Sequence, residues 1–192
     1  MAPPEPAKIQ LEVSRLDSIF DRSRPNEFPH GERKVVPGVA SYLESLAREK
    51  REHPTVELEI SVATGPVEAT AKVRAGDDLH AFFACERDRV DLDLAVNRTE
   101  GWGSLRFAAP LAVGFGAIAG FLSYVLPSLL VRPGFVLLSA LPALFFAVIV
   151  WVLIWDPVEM LLFDAYLLRA RRSALDKLSQ ARVLFVDRPS PA

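Results

Sequence analysis

The stretch "IWDPVEMLLFD", Ile154 to Asp164, places two acids, Asp156 and Glu159, beside Trp155 where a long uncharged run ends. Several copies of such a segment would gather their carboxylates into a ring that replaces part of a cation's hydration shell. Asp156 and Glu159 would then form the inner mouth of a homo-oligomeric ion channel. The same spacing has a plainer use. Asp156 as N-cap, Pro157 as first helical residue and Glu159 as third residue compose a capping box, which makes the segment a joint between two helices.

The remaining reactive residues carry less. Glu27, His30 and Glu32 lie in "NEFPHGER", where they could act against a membrane face, but a proline-rich surface loop accounts for them more simply. His30, His53 and His80 lack metal-ligand spacing. Cys85 is the single cysteine, which excludes an internal disulfide, fits a reducing compartment and reads as a small apolar filler. No phosphate-binding glycine loop and no basic, aromatic-rich patch is present, so neither a nucleotide cofactor nor a nucleic-acid partner is expected. These residues predict no catalytic constellation, no metal site and no cofactor.

The elements that must position these residues are set by charge. Residues 107–131 form a run of 25 without a charge, and after Arg132 another 23 follow to Trp155. Each run exceeds the roughly 20 apolar residues a helix needs to cross a bilayer. Only "VRPG", Val131 to Gly134, lies between them, and its Pro-Gly pair suits a tight turn. The expectation is a transmembrane hairpin over residues 105–155, with spans at about 107–130 and 134–155. A lobe this small could not wrap so long an apolar hairpin as a soluble core. Pro110, Pro127 and Pro142 are tolerated in such helices.

Basic residues set the orientation. Arg87, Arg89, Arg98 and Arg106 precede the first span, Arg169, Arg171, Arg172 and Lys177 follow the second, and the turn offers only Arg132. The positive-inside rule puts both termini in the cytoplasm, with Trp102 and Trp155 at the inner interface. Arg169, Arg171 and Arg172, with Lys177, could hold anionic lipid headgroups at ~1 kcal/mol each. The first thirty residues lack an apolar core of signal-peptide length, so the N-terminal lobe is expected to stay inside. Within the first span Ala108, Ala112, Gly116 and Gly120 recur every fourth residue. That stripe permits close helix packing, against the second span or against another copy of the chain.

The soluble parts read as an α/β lobe. "KIQLEV" and "TVELEISVA" alternate as half-buried strands, and "VEATAKVR" after "TGP" completes a β-hairpin over residues 55–74. A helix from about Val39 to Arg51 presents Val39, Leu43, Leu46 and Ala47, with Tyr42 beside them. Residues 77–100 carry Leu79, Phe82, Phe83 and Val90 at helical spacing, although "RVDLDLAV" alternates; the helical reading, feeding the first span, is favoured. After the second span come a helix of strong formers and a short strand, "RVLFVD", able to close the N-terminal sheet. Residues 1–7 and 188–192 are proline-rich ends expected to be disordered.

Two resemblances attach to these residues. Trp155, Asp156 and Glu159 match part of the W-D-x-x-E-P signature of the mitochondrial calcium uniporter, but Met160 replaces its proline and the motif leaves a span instead of opening one. More broadly, the "LEV…F" strand and turn, the "FPHGER" loop, "TEGWGSLRFA" entering the hairpin, and "IWDPVEMLLFDAYLLRARRSALDKL" with "ARVLFV" resemble a family of uncharacterised bacterial two-span membrane proteins. Its end reads approximately W-x-P-x-E-x-x-L-Y-D, matched here by Trp155, Pro157, Glu159, Leu162, Phe163 (for the tyrosine) and Asp164. The resemblance implies an α+β protein of the bacterial inner membrane, and it names no activity. A cytoplasmic lobe over residues 8–104, completed by residues 156–187, is therefore expected to have three or four strands and one or two helices. It would be tethered by the hairpin and bind a protein partner or sense the bilayer without enzymatic activity.

Overall fold

The computed structural model describes residues 6–21, 34–63, 67–125 and 135–187. Its order is β1 (Ala7–Val13), a 3₁₀ turn (Leu16–Ile19), α1 (Pro37–Glu49), β2 (Val56–Val62), α2 (Ala69–Gly120) and a π turn (Phe121–Val125). Then follow α3 (Phe135–Glu159), a second π turn (Met160–Asp164), α4 (Ala165–Ser179) and β3 (Arg182–Asp187). The chain divides into two compact units, one of residues Met1–Leu92 with Leu168–Ala192, the other Asp93–Leu167.

The first unit is built on a three-stranded sheet in the order β1-β2-β3, parallel throughout, so residues distant in sequence share one sheet. Register explains the alternation. Ile9, Leu58 and Val183 are neighbours across the strands, as are Leu11, Ile60 and Phe185; Ile9, Leu11, Leu58 and Ile60 are buried. The opposite face carries Lys8, Glu57 and Arg182 in one row and Gln10, Glu59 and Leu184 in the next. Gln10 Nε2 donates to Glu59 Oε2 at 3.4 Å, and Arg182 stands 4.0 Å from Glu57. Parallel sheets usually have both faces covered. This one keeps a largely polar face, so β1 and β2 read with the clean two-residue period of a half-buried strand, while β3 sets Leu184 and Val186 on the same face as Arg182.

Helices cover the other face. Leu43 and Ala47 of α1, Ala75, Leu79, Phe82, Phe83 and Val90 of α2, and Ala174, Leu175 and Leu178 of α4 are all buried. The buried residues of α2 recur at three- and four-residue steps, the period of a helix packed along one stripe.

The β-hairpin expected over residues 55–74 is not formed. Its first strand is β2, but helix begins at Ala69, and the turn at residues 64–66 lies outside the described residues. "VEATAK" is rich in Ala, Glu and Lys, which favour helix over strand. Val73, the last apolar residue of the expected strand, is left 65% exposed. "RVDLDLAV" is likewise helical, as part of α2.

In the second unit the end of α2 and α3 run antiparallel. Phe115 stacks on Phe146 at 5.7 Å, and Gly101 lies against Leu161. Two helical stretches, Ala69–Val125 and Leu144–Ser179, are long and apolar enough to cross a membrane, with mean hydropathies of 1.7 and 2.0 in their most apolar windows. The connecting "VRPG" with Arg132, Pro127, the "NEFPHGER" loop, residues 1–5 and residues 188–192 lie outside the described residues.

Candidate functional site

Asp156 does not cap a helix. It lies inside α3, which runs through Pro157 to Glu159 and continues without a break into the π turn and α4. A capping box needs a non-helical residue at its head, and none is found here. The joint is a π turn instead: the Ala165 N–H reaches back to the carbonyls of Leu162 and Met160. Pro157, which has no N–H to give the helix, is buried just before it.

The side chains that hold this joint come from α2. Asn97 donates from Nδ2 to the Met160 carbonyl at 2.8 Å. One turn on, a methyl group at Gly101 would sit 2.8 Å from Leu161 Cγ and Cδ2, so the close approach requires glycine. Neither residue stands out in the sequence reading. The signal for them is spacing: Asn97, Gly101, Ala108 and Ala112 fall on one helical stripe. Ala108 and Ala112 are indeed buried. At Gly116 and Gly120 an added methyl group would meet nothing within 4 Å, so the packing expected there is not made among the described residues.

Asp156 and Glu159 are exposed, and among the described residues no group of three or more metal-ligating side chains is found. A cation ring through them would need further copies of the chain. Trp155 stacks on Trp151 at 5.2 Å and leans on Phe163 at 6.4 Å. With Ala147, Val150, Ile154 and Val158 the two indoles line an apolar groove of about 430 Å³ along α3. Trp102 is half-exposed.

The basic residues of α4 behave differently from the headgroup cluster expected of them. Arg171 reaches Glu44 of α1 at 3.2 Å and Glu86 of α2 at 3.7 Å, and Arg172 pairs with Asp91 of α2. Lys177 donates to the carbonyls of Lys50 at 3.3 Å and Arg51 at 3.0 Å, capping the end of α1. These three cations are therefore engaged by their own lobe, because α4 is one of the helices covering the sheet. Arg171 and Arg172 form ion pairs and Lys177 is held by carbonyls, whereas Arg169 has neither kind of contact among the described residues. Arg87 bonds Asp88 and Asp176, and these hydrogen bonds, Asp88's first, hold its guanidinium above its ordinary pKa.

Elsewhere in the lobe, His80 bonds the Ala181 carbonyl through Nε2 at 2.7 Å, tying α2 to the start of β3, and Cys85 is exposed. A crevice of about 250 Å³ opens beyond the carboxyl ends of β1 and β2, lined by Leu16, Asp17, Thr70, Ala71, Arg74 and Ala75. That edge is where ligands bind in larger parallel sheets.

Comparison with known protein families, with curated proteins and with solved structures finds no match to this chain.

Proposed function

We propose that this chain is a non-enzymatic protein of the bacterial inner membrane, in which a two-helix hairpin tethers a small cytoplasmic α/β lobe that binds a protein partner or senses the bilayer. One observation carries the reading. In the most apolar windows of the two long helical stretches, only 11% and 6% of the residues are buried. Val113 is 74% exposed, Phe107 71% and Trp151 64%. Each such side chain left in water forgoes about 1.5–3 kcal/mol of burial, and a bilayer supplies that burial on every side at once. The fold of the lobe supports the same reading. β1, before the first apolar stretch, and β3, after the second, share a sheet, which requires both to lie on one side of the membrane.

The excess of arginine before α2 leaves the lobe and after α3 orients this hairpin with both termini inside. Arg169, without an ion pair among the described residues, is the cation of α4 placed to meet anionic headgroups, while exposed Trp102 and Trp155 sit at the inner interface. The test is labelling of single cysteines placed at Arg132 and Ser173 in a Cys85→Ser background in intact cells. Labelling from outside at position 132 alone is the expected result. Recovery of the full chain in the soluble fraction, or access from outside at position 173, overturns the proposal.

A further inference from the structure

The π turn at Met160–Asp164 marks a conflict between two helical phases. Along α3 and into the joint, Phe146, Val150, Leu153, Pro157 and Leu161 mark the middle of a stripe of buried and half-buried residues that Ile149, Ile154, Val158 and Met160 flank. At about 100° per residue, an uninterrupted α-helix would bring residue 164 within about 20° of Pro157's direction and leave residue 165 about 80° away, and residue 164 is an aspartate. The observed chain avoids this. Its wider turn leaves Asp164 exposed and brings Ala165 in, at 8% exposure. A carboxylate turned onto that buried stripe would lose part of its water, whereas an alanine fits there at no such cost.

The hydrogen bonds show how the wider register is held. In it the Ala165 N–H reaches the Met160 carbonyl, five residues back, and the same oxygen accepts from Asn97 Nδ2. In the α register Ala165 would bond Leu161 instead, with the side chains after the joint turned by about 100° relative to those before it. π turns are single-turn departures that an α-helix readily absorbs, and they concentrate at functional positions.

We infer that Met160–Asp164 is a two-register joint, kept in its π register by the exposed carboxylate of Asp164 and latched by Asn97. The device does not depend on the membrane reading, because every contact it uses lies within the Asp93–Leu167 unit. It supplies what a tethered lobe would need in order to respond to its membrane segment: a discrete change of helix phase in place of a gradual bend.

The experiment follows the burial of residue 165. In the full chain, solubilised in mild detergent and carrying Cys85→Ser, a cysteine is placed at Ala165 or, as the exposed control, at Tyr166, and maleimide labelling rates are compared. With the joint intact, position 165 is protected and position 166 reacts freely. Asp164→Ala removes the reason for the π register and Asn97→Ala removes its latch. Each is expected to abolish the protection at 165 while leaving 166 and the helical circular dichroism unchanged. Asp164→Asn, which keeps size and removes charge, serves where the alanine variant does not fold. Protection at 165 that persists in folded Asp164 and Asn97 variants overturns the inference, as does free labelling of 165 in the parent chain.

Discussion

Gly101 and Gly103 flank Trp102 on one helix, yet they should answer the same substitution with opposite signs. At Gly103 an added methyl group meets nothing within 4 Å. Gly103→Ala should therefore keep the full helix-propensity advantage of alanine over glycine, about 0.8–1.0 kcal/mol. At Gly101 the methyl lands 2.8 Å from both Cγ and Cδ2 of Leu161. That is about 0.7 Å inside the optimal carbon–carbon separation of about 3.5 Å or more, and overpacking of this kind costs about 1–3 kcal/mol. The two substitutions should differ by that same 1–3 kcal/mol in unfolding free energy. Removing the obstacle reverses the sign. In a Leu161→Ala background Gly101→Ala should become stabilising by about 1 kcal/mol, and the coupling between positions 101 and 161 should recover the overlap energy. Unfolding of the full chain in detergent, followed by indole fluorescence and by far-ultraviolet circular dichroism, measures all four variants. If Gly101→Ala and Gly103→Ala agree within about 0.5 kcal/mol, or Leu161→Ala leaves the difference intact, the close approach that defines this joint is wrong.

Two further outcomes separate roles that look alike in sequence. Lys177→Met should destabilise the lobe by about 1 kcal/mol in denaturant unfolding, through the loss of charged bonds to the last carbonyls of α1; Arg169→Met, which breaks no ion pair among the described residues, should stay within about 0.5 kcal/mol. Ile60→Ala, at a fully buried position on the central strand, should cost about 2–5 kcal/mol, whereas Val73→Ala on the exposed side of α2 should leave the midpoint of the same unfolding curve nearly unchanged.

The strands over residues 7–13 and 56–62 are legible because each keeps one polar face, so the period of two survives, whereas residues 182–187 are legible as a short β-branched and aromatic run. What pairs with what was not legible in the same way. The short "TGP" turn and an alternating segment after it suggested a hairpin, but β2 takes its neighbours from β1 and β3, and the alanine-rich segment turns helical. Alternation records that one side of a segment is covered and carries no information on which segment lies beside it. The contacts of the basic cluster of α4 are hidden from the sequence for a related reason. Arg171, Arg172 and Lys177 are consecutive enough to look like one patch, while their partners Glu44, Glu86, Asp91 and the end of α1 are scattered through the sequence.

Composition and charge spacing alone determine the two apolar helices, the helical character of α1 and α4 and the half-buried strands, because each depends on a residue's own chemistry and its near neighbours. The parallel order of the sheet, the engagement of α4's cations and the π turn at "MLLFD" belong to the folded chain. Asp156, Pro157 and Glu159 have the local form of a helix start, and the helix nevertheless runs through them. Its phase is decided three residues beyond Leu161, where Asp164 stays exposed and Ala165 is buried, with Asn97 and Gly101 of α2 against Met160 and Leu161. A helix phase is a relation between two surfaces, and it exists only once both are in contact.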